Sequence, residues 1–491
     1  MKQFFYLFTM ILVSAACRGN GQSRVTYVPD TAMLSNAFEA YREPTITHRR
    51  FKHADIEPLI LKRRGGSVFE VTQLGVSVLG KSIYQVKYGM GEKKVMLWSQ
   101  MHGNEPTATM ALMDIFNFLE AQGDGMDSVR NQLKEQTSLY FIPMLNPDGA
   151  DIYTRRNAMD VDLNRDARIG ATVEGRLLIE AAKSVQPAYA FNLHDMNIYH
   201  NVPGTPSPAT IALLAPAYNE VRDINEVRGN AMRIAAGMNR ILQGYVPNGV
   251  AKYDDTYTPR GFGDNFQSWG ASTVLIESGG YNGDPEKQFI RKLNFMIILN
   301  ALIEISQGSY LQYDIDDYEA IPLSDSKLSD VLLRNIRASR DSMDYKVDVS
   351  INRDEQTEGD EYYVRSRIAD IGDLKENYGY DELDGEGYRF MQGKIYPKVF
   401  NRIDEVSLET AMKLLRQGYY AIQLSSQPEN RFHGLPLVVF SQRKPAPASL
   451  NLGREANFFL ARNGVPAYAV VNGYLIDLSS TPQQVFKNYV F

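Results

Sequence analysis

Apolar and polar positions change rhythm several times along this chain, and each change predicts an element. Residues 95–100 (Val-Met-Leu-Trp-Ser-Gln) are a short apolar run of the length expected for a buried strand. From 107 to 120 the period lengthens. Ala111, Leu112, Ile115, Phe116 and Leu119 share one helical face, and Pro106 stands at the first turn, where a missing N–H costs little. Residues 138–145 predict another strand, ended by the turn residues Asn146, Pro147, Asp148 and Gly149. The runs 188–193 and 273–276 predict two more strands, and 291–305 predicts a closing helix. Strands alternating with helices in this way predict an α/β domain over 51–308, with helices on both faces of its sheet.

The flanking regions differ in character. Residues 18–50 are polar and turn-rich and read as a tether. After 308 the chain becomes acidic and interrupted, so 309–344 reads as a connector with one helix near 328–340. Short apolar runs such as 345–351 and 435–441 then predict a smaller, mostly-β C-terminal domain over 345–491, with one amphipathic helix near 408–416.

Composition adds a few constraints. A length of 491 residues implies two or three domains, and 44% hydrophobic with 22% charged residues suits a soluble chain with sizeable cores. The net charge of -6, with no dense basic run, excludes nucleic acid as the expected partner. Residues 1–17 read as an export signal: Lys2 precedes an apolar run too short to span a bilayer, which ends in Ser14-Ala15-Ala16-Cys17. Cys17 is the one cysteine, so no disulfide framework exists. It is either an incidental residue at a cleaved terminus or the lipid-bearing first residue of a lipoprotein. The second reading is preferred, because an exported protein with a single thiol needs a reason for it. The expected location is the periplasm or cell envelope, with membrane contact only through that anchor, or else secretion.

Candidate chemistry gathers at the predicted strand ends. His102 and Glu105, in Met101-His-Gly-Asn-Glu-Pro106, offer an imidazole and a carboxylate to a common point where a strand gives way to a helix. A catalytic zinc site needs three protein ligands and an open position for water. His194, at the end of the 188–193 run, is the third candidate. Glu277, in Val274-Leu-Ile-Glu-Ser-Gly-Gly280, stands in the same kind of place and could act on the water at the metal. In open α/β sheets, ligands bind outside the carboxyl ends of the strands, which is where all four lie.

The order His102-x-x-Glu105, Asp162-Leu-Asn-Arg165, His194, Glu277, together with Asn146-Pro-Asp-Gly149, resembles the zinc metallocarboxypeptidase family (carboxypeptidase A-like) over roughly residues 50–308. That resemblance implies an α/β/α sandwich with a mixed, mostly parallel central sheet and one catalytic zinc ion. It implies His102, Glu105 and His194 as metal ligands and Glu277 as general base. Arg155, nine residues before Asn164, matches the arginine that stabilises the developing oxyanion. Asn164 and Arg165 match the pair that grips the substrate's free carboxylate, and Asp162 matches the carboxylate that orients a metal-binding histidine, here His102. Tyr257 is the first choice for the mobile tyrosine over the substrate, with Tyr253 as rival. Asp264 is placed near the specificity pocket, where it would favour a basic side chain or an amino group. Two departures stand out: Asp166 follows Arg165 where asparagine is common, a change assigned to the rim, and Met196 follows His194-Asp195.

Blander readings apply elsewhere. His200 and His433 read as satisfied core histidines, His48 and His53 as solvated, and Asp195 as structural. The expected function is a zinc-dependent exopeptidase that hydrolyses the C-terminal bond of peptides with a free carboxylate. Alternatives are an amidase for cell-wall peptides of the D-glutamyl-diaminopimelate type, a deacylase for small amino-acid conjugates, and an inert peptide-binding lipoprotein.

Overall fold

Unbroken apolar strands need helices on both faces, and the sheet over 69–278 has them. The computed structural model describes residues 28–491, so the export signal, Cys17 and the first part of the tether lie outside the described residues. Eight strands build the first sheet: β1 (Phe69–Val76), β2 (Ser82–Tyr88), β3 (Lys93–Ser99), β4 (Thr137–Ile142), β5 (Tyr189–Asp195), β6 (Ile211–Leu214), β7 (Val250–Lys252) and β8 (Ser272–Ser278). Their order is β1-β2-β4-β3-β5-β8-β6-β7. The central strands β4, β3, β5 and β8 run parallel, whereas β1–β2, β2–β4 and β6–β8 are antiparallel.

The helices are α1 (Thr31–Tyr41), α2 (His53–Leu61), α3 (Thr107–Glu120), α4 (Asp127–Gln136), α5 (Pro147–Asp151), α6 (Val173–Val185), α7 (Glu226–Leu242), α8 (Phe262–Ser268), α9 (Gln288–Gln307) and α10 (Ile315–Glu319). Alternation along β3 divides the two cores. Val95 and Leu97 face a cluster with α1, α3, α7 and α9, whereas Met96 and Trp98 face α6 and α8. The fold is therefore an α/β/α sandwich. Helix α9 is buried nearly all round, as an apolar helix between layers must be.

The tether reading needs correction. Leu34, Ala37 and Phe38 of α1 are buried, and the Phe38 ring meets Phe295 of α9 edge-on at 5.7 Å. The following segment is held by Arg291 of α9, which donates to the Glu43 and Ile46 carbonyls at 3.0 and 2.6 Å. Arg291 also pairs with Asp114 of α3, and both side chains are fully enclosed. His53 is buried at the start of α2 with its Nε2 against the Ser82 carbonyl (2.9 Å), not solvated. His48 is exposed.

A second correction concerns 328–340, which is a strand and not a helix. The β region begins there: β9 (Leu328–Arg340), β10 (Met343–Glu358), β11 (Glu361–Gly372) and β12 (Tyr378–Asp384) come first, followed by β13 (Arg389–Gln392), β14 (Lys394–Phe400) and β15 (Tyr419–Leu424). Strands β9 to β11 form a long meander, joined through β13 to strands at 458–462, 465–471 and 474–477. Helix α11 (Leu408–Arg416) lies where amphipathicity placed it and connects the parallel strands β14 and β15.

Glu304 of α9 supplies a pH-dependent element of stability. Burial pushes its carboxyl up to about 7 from 4.5, although the Tyr313 hydroxyl donates to it at 2.7 Å. A carboxyl that holds its proton more tightly when folded makes the native state lose stability as pH rises from about 4.5 to 7. Glu304→Gln removes that loss. Urea unfolding should show the variant more stable than wild type at pH 8, by on the order of 3 kcal/mol, and nearly equal to it at pH 4. Parallel pH profiles for the two proteins would contradict this.

Candidate active site

Each predicted ligand is placed by a different local device. β3 ends at Ser99, and a positive φ of 52° at Gln100 turns the chain away from the sheet. The turn carrying His102 then runs against the start of α5 so closely that a Cβ on Gly103 would lie 2.0 Å from the Gly149 carbonyl carbon. Only glycine permits that contact, which explains why Asn146-Pro-Asp-Gly149 accompanies the histidine. Asn146 caps α5 by accepting from the Gly149 N–H (2.9 Å). Glu105 follows one turn after His102, held by its N–H to the His102 carbonyl (3.1 Å). His194 ends β5 and Glu277 ends β8, where they are direct cross-strand partners.

These residues converge. Ligand atoms of His102, Glu105 and His194 all lie within 4.8 Å of one another, and the three side chains are buried. His102 Nδ1 faces Glu105 Oε1, and His194 Nδ1 faces Glu105 Oε2, each at 2.8 Å. Two imidazoles and one carboxylate meeting at a point are a donor set suited to zinc. On its other side, His102 Nε2 meets Asp162 Oδ1 at 3.0 Å, so Nδ1 is left for the metal. Arg155 spans the mouth, donating to Glu105 (3.0 Å) and to the other oxygen of Asp162 (3.1 Å).

Electrostatics follow from this packing. Burial would raise the Glu105 carboxyl, but the two imidazoles hold it well below the usual carboxylate range. Burial disfavours a charged His102, yet Glu105 and Asp162 outweigh it and raise its pKa; for His194 burial prevails and the pKa falls. Glu277 is pushed well above the carboxylate range, first by burial and then by Glu105 and Asp195. Among the described residues, nothing hydrogen-bonds to its Oε2. A buried oxygen of this kind is costly unless a ligand or solvent group meets it.

One pocket of about 240 Å³ collects most of the predicted site residues: His102, Glu105, Arg155, Asn164, Arg165, His194, Asp264 and Glu277. Asn164 accepts from the Phe262 N–H (2.9 Å), which ties the carboxylate-anchor candidates to α8. The exposed guanidinium of Arg165 makes no ion pair among the described residues. Asp264 accepts from the Thr258 N–H (2.8 Å), and burial pushes its carboxyl up to about 6.

Several assignments change. Tyr253 lines the pocket, whereas Tyr257 does not. Asp166 is buried and accepts from Thr172 N–H and hydroxyl at 2.8 and 2.7 Å, so it shapes the start of α6 and not the rim. His200 lines the pocket, its ring 5.9 Å from that of Tyr253, and is no core residue. His433 lies far along the β region, where its Nδ1 accepts from the Leu435 N–H (3.3 Å). Lys287 was missed altogether. Its buried ammonium joins Asp195 Oδ2 and the Ser278 carbonyl, both at 2.9 Å. No spacing in the sequence marks it, because it sits in an irregular loop before α9.

The chain is similar to several known proteins over the part that carries this triad. Residues 61–175 match the family model of zinc carboxypeptidases. The matched span includes His102, Glu105, Arg155, Asp162, Asn164 and Arg165, and ends before His194. An uncharacterized protein of Zymomonas mobilis is 30% identical over 148 residues, which are 30% of this chain and 36% of that protein. Carboxypeptidase D of Homo sapiens is 23% identical over 314 residues, 56% of this chain and 22% of that protein. The chain thus spans little more than a third of these relatives' length, or less. A metallo-carboxypeptidase from Burkholderia cenocepacia aligns with a TM-score of 0.42 at 17% identity, over 53% of this chain and 70% of that chain.

Proposed function

We propose that the protein is a zinc-dependent exopeptidase of the cell envelope that removes C-terminal residues from peptides. The observation that carries this reading is the meeting of His102, Glu105 and His194 beside a buried glutamate with an unmet oxygen. The envelope location rests on residues 2–17 alone. His102 and His194 through Nδ1, and Glu105 through its carboxylate, would hold the zinc. When bound, zinc supplies Lewis acidity to the attacking water and to the scissile carbonyl.

The remaining work falls to the chain's own groups. Glu277 takes a proton from the attacking water and passes it to the leaving amine nitrogen. Arg155 swings from Glu105 toward the carbonyl oxygen as charge develops there. Asn164 and Arg165 hold the substrate's terminal carboxylate, and Tyr253 stands over the substrate. Zinc-loaded protein given a mixed peptide library should shorten it by single C-terminal residues, and a chelator should stop this. Internal fragments, or an unchanged library, would overturn the reading.

Arg165→Ala tests the anchor. KM for peptides with a free C-terminus should rise about 10- to 100-fold, the worth of a charge-assisted hydrogen bond. The weak hydrolysis of C-terminally amidated peptides should change little. Equal losses on both would show that Arg165 does not bind the carboxylate.

A second reading of the substrate is favoured by Asp264, which lines the pocket without an ion-pair partner among the described residues. A cationic or amine-bearing residue at the cleaved end would meet it, and diaminopimelate-containing muropeptides carry such a group. Muropeptides and ordinary peptides compared side by side separate the two.

A further inference from the structure

The β region that begins at Leu328 has no part in the chemistry above, yet it braces a segment that lines the pocket. Met196, Asn197 and His200 line one wall, and they belong to an irregular segment, 196–201, that follows His194. The sandwich itself meets the backbone of this segment near its ends: the Met196 N–H donates to the Ser278 carbonyl (3.1 Å), and the His200 carbonyl accepts from Ala209 (2.9 Å). Between those points the backbone carbonyls of Ile198 and Tyr199 accept hydrogen bonds from beyond residue 327. The Tyr380 hydroxyl donates to the Ile198 carbonyl at 2.6 Å, and the Leu328 N–H donates to the Tyr199 carbonyl at 3.2 Å. The Tyr199 hydroxyl donates to Asp330 at 2.5 Å and accepts from the Arg353 N–H at 3.2 Å.

Tyr380 does more than hold the wall. A Cβ on Gly280 would lie 2.1 Å from its hydroxyl oxygen, so the phenol is wedged against the turn that leaves Glu277. One side chain of the β region therefore touches both the strand exit carrying the acid and the 196–201 wall beside it. A second grip lies at the Arg155 loop. The Arg50 guanidinium is sandwiched between the rings of Tyr153 and Tyr362, at 3.8 and 4.1 Å, and pairs with Glu355 at 2.6 Å. Tyr153 is two residues from Arg155 and has a positive φ of 51°, a conformation that persists only where surroundings enforce it.

We infer that the C-terminal β region is a working part of the pocket and that Tyr380 is a positioning residue, fixing the 196–201 wall so that Asn197 and His200 can contact substrate. The contact with substrate rests on the exopeptidase reading; the anchoring of the wall does not. A wall held in one geometry lowers the ordering cost of binding, so loosening it acts on KM and not on the chemical step.

The test uses the full chain and Tyr380→Phe, which keeps the ring and removes the hydroxyl. Amide hydrogen exchange in 196–201 should become about five-fold faster, the effect of losing one neutral hydrogen bond, with no change in the strands of the sandwich. KM for an N-acylated tripeptide should rise by a similar factor, while kcat and bound zinc stay at wild-type levels. Unchanged exchange in 196–201 overturns the inference, as does faster exchange with an unchanged KM. The exchange measurement needs no substrate, so it decides the anchoring even if wild-type protein cleaves no peptide, a result that counts instead against the proposed function. If Tyr380→Phe fails to fold, Tyr199→Phe, which removes the hydroxyl held by Asp330 and the Arg353 N–H, should give the same faster exchange, and unchanged exchange there overturns the anchoring.

Discussion

Glu277→Gln should leave the protein folded and able to bind zinc while lowering peptide hydrolysis by about 10³- to 10⁴-fold, the upper part of the range for a positioned general base. The reasoning is geometric. Glu277 lies outside the His102–Glu105–His194 group, so removing its charge deletes no ligand. Glutamine has nearly the same shape and sits on the same strand partner of His194. It cannot take up the proton. Stability provides the control: the Glu277 carboxyl is raised by burial and by neighbouring carboxylates, so its ionised form costs the native state stability above the ordinary glutamate pKa. The variant should therefore unfold at no lower temperature than wild type at neutral pH. Wild-type turnover in the variant would remove Glu277 from the mechanism. Loss of zinc along with activity would place it among the ligands.

A larger effect on stability is expected from Arg291→Ala, about 3–5 kcal/mol by urea unfolding, as for other enclosed ion pairs broken from one side. Arg291 and Asp114 are respectively 1% and 0% exposed, so neither partner can turn to solvent. The same guanidinium serves the Glu43 and Ile46 carbonyls, so its loss also releases the segment between α1 and α2. Burial already pushes the Asp114 carboxyl up to about 6 against the pull of Arg291, and in the variant it would be protonated at neutral pH, which limits the damage. Adding Asp114→Leu should recover only part of the stability, because the two carbonyls stay unmet. Full recovery, or a cost below 1 kcal/mol, would show that the pair contributes little.

Much of the sandwich was legible in the sequence, for a physical reason. Strands β3, β4, β5 and β8 are buried on both faces and read as unbroken apolar runs, and α3 shows a clear 3.6-residue period beside them. Strand β9 misled because it carries an irregularity. Val347 pairs with Ile336 but Val349 pairs with Leu333, so one extra residue lies on β9, with Asn335 at a φ of 57°. The inward positions Val331, Leu333, Ile336 and Ala338 therefore change phase midway, and that spacing imitates a helix. Helix α1 was hidden differently. Met33, Leu34, Ala37, Phe38 and Tyr41 do share a face, but the polar, turn-rich residues before them set the tone of the segment.

The candidate site shows the same division. His102, Glu105, His194 and Glu277 stand at strand ends, where position along the chain predicts position in space. Tyr253 and Tyr257 lie on an irregular connection after β7, and no periodicity says which of the two turns inward. The wall at 196–201 could not be read at all, since the partners of Ile198 and Tyr199 at its middle come from strands more than a hundred residues away.

The placing of His194 and Glu277 side by side on adjacent parallel strands has a consequence for how such a molecule can diversify. Their separation is set by the spacing of adjacent strands, which loop changes scarcely alter. Tyr253, Asp254 and Thr258 instead ride on the connection between β7 and α8, whose composition the sheet does not dictate. The candidate metal group and much of the remaining pocket lining thus lie on separate pieces of chain, so substitutions can accumulate in one while the other keeps its spacing.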